Sequence, residues 1–330
     1  QGRRGDQEDI LKRTQVRGGG SSAAPRRSTD PPGPAQLICA GEAFEDLIFV
    51  GLERLPELGE EIKTDQFTST IGGGAVITAV KAARLGMKTT LISGLSDGAV
   101  TRLKKERVTI INLRKAAELP AVTAALSTGV DRAFVTFNGV NAKLEARMPA
   151  ALRAAVPPKL ARAKRGERRR TVRTHIHLCF YPHDCGHWTN IAHQLRQRGI
   201  TTSWDFGWNE PLSNDRGLID LIDALDFVFV NEHEARLYTG EHTIEASLPH
   251  WRHRKAIAII KIGEEGAVWV APDRDIHVAA PKVRVIDTTG AGDSFNAGFL
   301  VAWMNGKSPE QCLRAGNKVG AASTRQAGGI

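Results

Sequence analysis

The sequence predicts an α/β fold in three layers, a mostly parallel central sheet with helices on both faces, and a small β flap beside it. Two observations predict it. Short apolar strand-like runs alternate with helix-like runs along most of the 330 residues, the order that builds a parallel sheet. Two further β patches, at 44–70 and 121–137, fall outside that alternation, and a flap drawn from both distant segments accounts for them.

The elements follow in order. Residues 1–36 are rich in Gly, Ser, Pro and Arg and cannot bury enough apolar surface to offset the entropy of ordering, so they read as a disordered basic tail ahead of a domain at 37–330. Leu37–Cys39 begins the first strand and runs into GEAFED. The turn Pro56-Glu57-Leu58-Gly59 divides the first β patch, and IGGGAVITAVKAARLG at 71–86 is a glycine turn entering an amphipathic helix. KTTLIS resumes the sheet; the second patch ends in DRAFVTFNG; strands recur near 175–180, 200–205, 226–230, 256–261 and 267–270. VRVI at 283–286 reads as one more strand, and Phe295, Phe299 and Trp303 recur every four residues along a helix that stops at Asn305-Gly306.

Composition narrows the function. Hydrophobic residues make up 41% of the chain, enough for a large core, and no apolar run reaches the roughly 18 residues of a membrane span. With no signal-peptide core at its N-terminus, the expectation is a soluble, cytoplasmic protein without a membrane partner. The net charge of +9 is local: the tail carries +3 and residues 159–173, KLARAKRGERRRTVR, carry +7, leaving −1 for everything else. A basic nucleic-acid-binding face is therefore not expected, and 159–173 reads as a solvated charged segment. The four cysteines have no framework spacing, which fits a reducing compartment. His175, His177, Cys179, His183, Cys185 and His187 are side chains zinc prefers, but their spacing matches no common zinc pattern, and a strand with His175, His177 and Cys179 on one face explains them equally well.

The chemistry concentrates in DTTGAGDSF at 287–295, a strand-to-helix turn. Backbone N–H groups at a helix start lack internal partners and, with the helix dipole, form an anion site that glycines let a ligand approach closely. Gly290, Ala291 and Gly292 offer such donors just ahead of Asp293. A carboxylate there opposes the anion unless it has its own task, and accepting a proton from a hydroxyl that attacks a phosphoryl group is such a task. The plain alternative is that Asp293 or Asp287 caps the helix.

DTTGAGDSF followed by NAGF resembles, almost letter for letter, the C-terminal signature of the ribokinase family, the PfkB-type carbohydrate kinases. IGGGAVITAVKAARLG is similar to that family's N-terminal glycine signature, NEHE at 231–234 to its N-x-x-E motif, and KIGEEGAVW at 261–269 to its nucleotide-side strand and turn. The resemblance spans 37–330 and implies a ribokinase-like fold, with the flap as a lid that closes over the acceptor or pairs with a second copy. It implies ATP with Mg2+ as cofactors and a small-molecule sugar as substrate. Asp293 is then the general base and the amides of Gly290, Ala291 and Gly292 the anion hole. Asp46, Gly72 and Gly73 face the acceptor, joined by Asn138 and Asp205. Lys261, Gly263, Gly266 and Thr288 lie along the nucleotide with Asn317 near the adenine, while Asn231 orients the phosphates and Glu234 places the metal through water. Taken without the family, Asn231 and Glu234 also make a good capping box. One departure falls at the acceptor end, where Ile77 stands in place of the family's usual Asn. A nucleoside or vitamin kinase on the same fold, or a non-catalytic ligand-sensing or nucleic-acid-binding protein using 159–173, are the alternatives; a dinucleotide-binding dehydrogenase is disfavoured because Gly72-Gly73-Gly74 makes no G-x-G-x-x-G.

Overall fold

The computed structural model describes residues 34–128, 132–156, 172–326 and 328–330. The tail up to residue 33 and the basic segment from 159 to 171 lie outside them. Nine strands form the central sheet: β1 (Ala35–Gly41), β4 (Lys88–Ser93), β5 (Thr109–Asn112), β8 (Arg173–Cys179), β9 (Thr201–Asp205), β10 (Phe227–Asn231), β11 (Ile257–Lys261), β12 (Ala267–Ala271) and β13 (Arg274–Val278). Their order is β13-β12-β11-β10-β9-β8-β1-β4-β5, parallel from β5 through β11, with β12 and β13 antiparallel at one edge. Strand β1 contains Ala35 and Gln36, two residues that the sequence reading assigns to the tail.

The central parallel strands are buried on both faces and largely apolar, as strands covered by helices on both sides are. In β10, Phe227 and Phe229 enter one helical layer while Val228 and Val230 enter the other. The first layer holds α1 (Gly74–Arg84), α2 (Asp97–Lys105), α9 (Ala291–Met304) and α10 (Pro309–Ser323). The second holds α3 (Leu144–Ala155), α4 (Cys185–Gln197), α5 (Glu210–Ser213), α6 (Leu218–Ala224), α7 (Glu232–Leu237) and α8 (Ile244–Arg252). The molecule is thus a three-layer α/β/α fold. Among the described residues no helix is long and apolar enough to cross a membrane.

Strands β2 (Phe44–Leu52), β3 (Gln66–Gly72), β6 (Val122–Thr128) and β7 (Arg132–Phe137) form a separate sheet in the order β3-β2-β6-β7. The two distant β patches do pair, through Glu45–Phe49 of β2 against Val122–Leu126 of β6. Register gives this sheet two faces. Asp46, Thr70, Thr123 and Thr136 share one, marked by the 3.2 Å contact between the Thr123 and Thr136 hydroxyls, and the Phe49 and Phe67 rings meet on the other at 5.2 Å.

Two expectations fail. Residues 283–286 form no strand: the Ile286 N–H bonds to Thr324 O at 2.7 Å and Val285 and Ile286 are exposed. An alternation of Val and Ile with Arg reads as a half-buried strand, but nothing offers this segment a ladder. Strand β13 was not expected, since RDIHV has a short apolar pattern that becomes a strand only by hairpin pairing with β12.

The His/Cys cluster resolves into separate structural roles. His175 and His177 share a face of β8 as read, buried beneath α9. The Ser203 hydroxyl lies 2.8 Å from His175 Nε2 and 2.7 Å from His177 Nδ1, and the Thr201 hydroxyl lies 2.9 Å from His175 Nδ1. His183 instead bonds Glu145 of α3 at 2.6 Å, and among the described residues no group of three or more His, Cys, Asp or Glu side chains could hold a metal ion.

The periodicity of α9 locates the core under the future site. Phe299 is fully buried, with its ring 5.5 Å from Phe227, 5.3 Å from Phe229, 6.0 Å from Trp269 and 6.2 Å from Phe295. Phe299→Ala should cost about 3–5 kcal/mol in urea unfolding, the usual cost of removing a buried ring. A loss below about 1 kcal/mol would show that this aromatic cluster does not hold α9 on the sheet.

Candidate active site

Chain order reverses across the sheet between β1 and β8: from β1 the chain builds outward to β4 and β5, then returns to β8 and builds the other way. Open α/β sheets bind ligands at such a switch point, outside the carboxyl ends of the strands. The motif residues gather at that end.

The loop from Asp287 to Gly290 is shaped by Asp287. Its Oδ1 accepts from the Thr289 N–H at 2.9 Å and hydroxyl at 2.7 Å, and its Oδ2 accepts from the Gly328 N–H at 3.0 Å, so it staples the C-terminal segment to the loop instead of capping α9. The N-cap of α9 is Gly290, in the left-handed region at φ 71°. A side chain there would strain the backbone and meet Ile77 Cδ1 at 2.8 Å. Ile77, in place of the family's Asn, is thus an apolar floor beneath the loop. Of the expected anion-hole amides, Ala291 N–H already donates to Thr288 O at 3.1 Å, while the Gly290 and Gly292 N–H groups have no partner among the described residues. Asp293 caps nothing with its side chain; Thr78 of α1 donates to its backbone carbonyl at 3.1 Å.

Strand ends β9, β10 and β11 deliver Asp205, Asn231 and Lys261 side by side. Asp205 Oδ2 accepts from Lys261 Nζ at 2.7 Å and from Asn296 Nδ2 at 2.8 Å. Lys261 would lie 3.2 Å from a Cβ on Gly292, and a Cβ on Gly74 would lie 2.9 Å from Asp293 Oδ1. Gly292 and Gly74 therefore leave the room that Lys261 and Asp293 occupy. Asp205, expected from the sequence on the acceptor side, links Lys261 of β11 to Asn296 of α9. Asn296 was missed, although it lies three residues past Asp293 on the same helical face, a spacing that could have flagged it.

Three carboxylates surround one ammonium group, and their proton affinities diverge. Burial raises the pKa of Asp293 to about 6, the charge of Asp205 adds to this, and Lys261 opposes it. Burial likewise raises Glu234 to about 7, with Asp205 adding and Lys261 opposing. Burial also pushes Asp205 upward, but the charge and hydrogen bond of Lys261 outweigh it and leave Asp205 below the usual carboxylate range. Burial pulls Lys261 down; Asp205 and Glu234 more than restore it, so the ammonium stays charged. Glu234 sits in a capping box: Oε2 accepts from Asn231 N–H at 2.8 Å and Oε1 from Asn231 Nδ2 at 2.7 Å. The capping reading of that motif is therefore structurally real. An excess of carboxylate over ammonium suits a hard divalent cation, yet both Glu234 oxygens are engaged and no three ligands converge among the described residues. Such an ion fits here through water and a ligand's own oxygens.

On the acceptor side, Asp46 lies so close against Gly72 that no Cβ fits between them, and burial raises Asp46 to about 6. Gly73, at φ 101°, is the N-cap of α1 and lies against the Glu42 carbonyl. Asn138 is exposed, and its side chain caps nothing. The buried amide is Asn141, whose Nδ2 donates to Ala43 O at 3.1 Å. On the nucleotide side, Gly263 and Gly266 bracket the turn from β11 to β12, with Gly266 against Val278 O. The Nδ2 of Asn317 donates to Val278 O at 2.7 Å and Ala279 O at 3.3 Å, so this residue ties α10 to the end of β13.

Comparison with known proteins identifies the family. The pfkB family carbohydrate kinase model matches residues 34–330. A nucleoside kinase from Methanocaldococcus jannaschii is 26% identical over 286 residues, covering 84% of this chain and 86% of that protein. A ribokinase from Arabidopsis thaliana is 26% identical over 308 residues, covering 88% and 76%. The fold matches that of an Arabidopsis thaliana ribokinase solved with ribose and ATP, with a TM-score of 0.67 at 22% identity, covering 90% of this chain and 94% of the other. The match of the family model across residues 34–330 places this chain in the pfkB family of carbohydrate kinases, phosphotransferases that act on an alcohol group.

Proposed function

We propose that the protein transfers the γ-phosphoryl group of ATP to a hydroxyl of a sugar or of the sugar moiety of a nucleoside, with Asp293 as general base. The observation that carries this reading is the placement of Asp293: a carboxylate raised to about 6, in the first turn of α9, directly behind the amides of Gly290 and Gly292, which have no partner among the described residues. A base with that proton affinity is ionised at neutral pH and close enough to the operating pH to take a hydroxyl proton as the new O–P bond forms. The two amides face the charge that develops on the transferred group, where fixed donors help most. Ala291 keeps its amide inside the loop and holds its shape.

The acceptor would lie over Gly72 and Gly73 with a hydroxyl donating to Asp46, and ATP would run along Gly263, Gly266 and Thr288 with its base towards α10 and Asn317. Mg2+ accompanying ATP supplies charge neutralisation when bound; Glu234, held by Asn231, would reach it through water. Lys261 stays on Asp205 and keeps that carboxylate from competing with Asp293 for the proton. The lid excludes water that could otherwise accept the phosphoryl group. A nucleoside acceptor has one observation in its favour: along the lid face that carries Asp46, Ile48, Ala125 and Phe134 give an apolar strip that a base can cover. The opposite face, with Leu47, Phe49, Phe67, Val135 and Phe137, would pair with a second copy of the chain.

Asp293→Asn keeps the size of the side chain, so melting temperature and ATP affinity should change little while kcat falls by roughly 100-fold to 10,000-fold. Turnover at saturating ATP and acceptor checks this; a folded variant keeping more than about a tenth of wild-type kcat would sink the general-base assignment.

The base must be ionised, so kcat/KM should be lost as pH falls through about 6. Asp205→Asn removes a negative charge that raises Asp293 and frees Lys261 to stabilise its ionised form, so the acid limb of the profile should move to lower pH. A limb that stays in place would show that Asp205 does not set the proton affinity of the base.

For the lid, Phe137→Asp on the outer face should shift sedimentation from dimer to monomer. A wild-type chain that sediments as a monomer at tens of micromolar would remove the pairing role.

A further inference from the structure

A cavity of about 160 Å³ lies between α6, the end of α7 and the end of α8. Ile222, Tyr238 and Trp251 line it and are buried, while Ile219 and His250, which also line it, are exposed, so it reaches the surface. The polar tips of both aromatic rings are already engaged. Tyr238 OH donates to Gly207 O, and Trp251 Nε1 donates to Ala235 O at 3.3 Å, so what the rings offer the cavity is carbon surface. Arg254, just past α8, completes the lining with a guanidinium that is loosely held: its ion pair with Asp223 spans 3.8 Å, and its Nε reaches the His250 carbonyl only at 3.4 Å. The acids nearby have other partners. Asp223 Oδ1 accepts from the Lys255 N–H at 2.9 Å, and Glu241 is bonded by His250 at 2.8 Å.

Well-packed proteins keep few voids larger than a water molecule, and an apolar cavity of roughly 150 Å³ takes up a benzene ring. A guanidinium with free donors at the edge of such a space matches a carboxylate. The two rings also lead to the active site. Gly207, whose carbonyl Tyr238 holds, donates its N–H to Asp205 Oδ1 at 3.3 Å, and Ala235, whose carbonyl Trp251 holds, belongs to α7, the helix that opens with the Asn231–Glu234 capping box. We propose that this cavity is an effector site for a small aromatic carboxylate, with its ring against Tyr238 and Trp251 and its carboxylate on Arg254, and that filling it tightens nucleotide binding. A ligand that orders the two rings also orders the carbonyls they hold, so the nucleotide finds part of that ordering already done. The coupling to nucleotide rests on the phosphotransfer reading above; binding in the cavity does not.

Calorimetry of the full chain with benzoate, benzamide and acetate tests it. Benzoate should bind with a Kd of about 1 mM or tighter. Benzamide, which keeps the ring without the charge, and acetate, which keeps the charge without the ring, should each bind about tenfold more weakly. Arg254→Gln should bring benzoate and benzamide within about twofold of each other. Ile219→Trp, at an exposed position, should fill the space and abolish binding of both, and it serves if Arg254→Gln melts early. Saturating benzoate should lower the Kd for ATP about fivefold in the wild type and leave it unchanged in Ile219→Trp. No benzoate binding at about 10 mM, or binding unchanged within about twofold in both variants, overturns the site. An ATP affinity that saturating benzoate leaves unchanged overturns the effector role. A chain that binds benzoate through Arg254 and Ile219 but binds no ATP supports the site and sinks the phosphotransfer reading instead.

Discussion

The ion pair between Lys261 and Asp205 joins the ends of β11 and β9 at 2.7 Å, with β10 between them. Strands two places apart in a sheet lie about 10 Å from one another, a gap that the lysine stem can cross while its head stays inside the site. Both side chains are largely withdrawn from water, 13% and 11% exposed, so removing one leaves a poorly compensated charge at a cost of up to about 3–5 kcal/mol. The pair also sorts the other acids. With Asp205 held ionised, its negative charge helps lift Asp293 to about 6 and Glu234 to about 7, and these two become the groups that titrate near neutrality. Asn296 adds a neutral donor to the same oxygen, so α9 is registered on the sheet through Asp205 as well as through its aromatic face.

Space is the second constraint, and glycine supplies it. Gly74 clears the approach of α1 to Asp293, and Gly292 clears that of Lys261 to the start of α9. The contact between Thr78 and the Asp293 carbonyl then locks the two helix starts together. These starts come from opposite ends of the sequence, so the glycine signatures at 72–74 and 290–292 work as a single joint. In the proposed mechanism that joint lets one helix carry the acceptor's floor and the other the base.

Much of this was legible in the sequence because its causes are local. The alternation of strands and helices, the two halves of the lid, the periodicity of Phe295 and Phe299, and the glycine entry to α9 all follow from neighbours in the chain. What failed depended on distant partners. Val283–Ile286 has the pattern of a strand but finds only Thr324 to bond. Asn138 and Asn141 are equivalent polar residues until the fold buries one of them against Ala43. Nothing in the segment of Asp205 reveals that Lys261, 56 residues on, reaches back to it. Nor does the sequence show that the amide of Asn317 bonds the carbonyls at the end of β13.

The same distinction between local and distant causes divides the site into two halves with different freedom to change. The phosphate half is built from one short segment, 287–296, whose geometry is closed by bonds within the loop and by the ends of adjacent parallel strands. Almost any substitution there disturbs either the left-handed turn at Gly290 or the charge balance around Lys261. The proposed acceptor half is assembled from β1, β2, α1 and the turn at 138–141, segments far apart in the chain. Ile77 shows the consequence. An apolar side chain occupies a place where a polar one is usual in the family, and it is accommodated beneath Gly290 and beside Gly329 without altering the loop above it. Chemistry held by short-range closure and recognition held by long-range assembly can therefore vary separately, and a single kinase architecture can serve acceptors of different shape and charge.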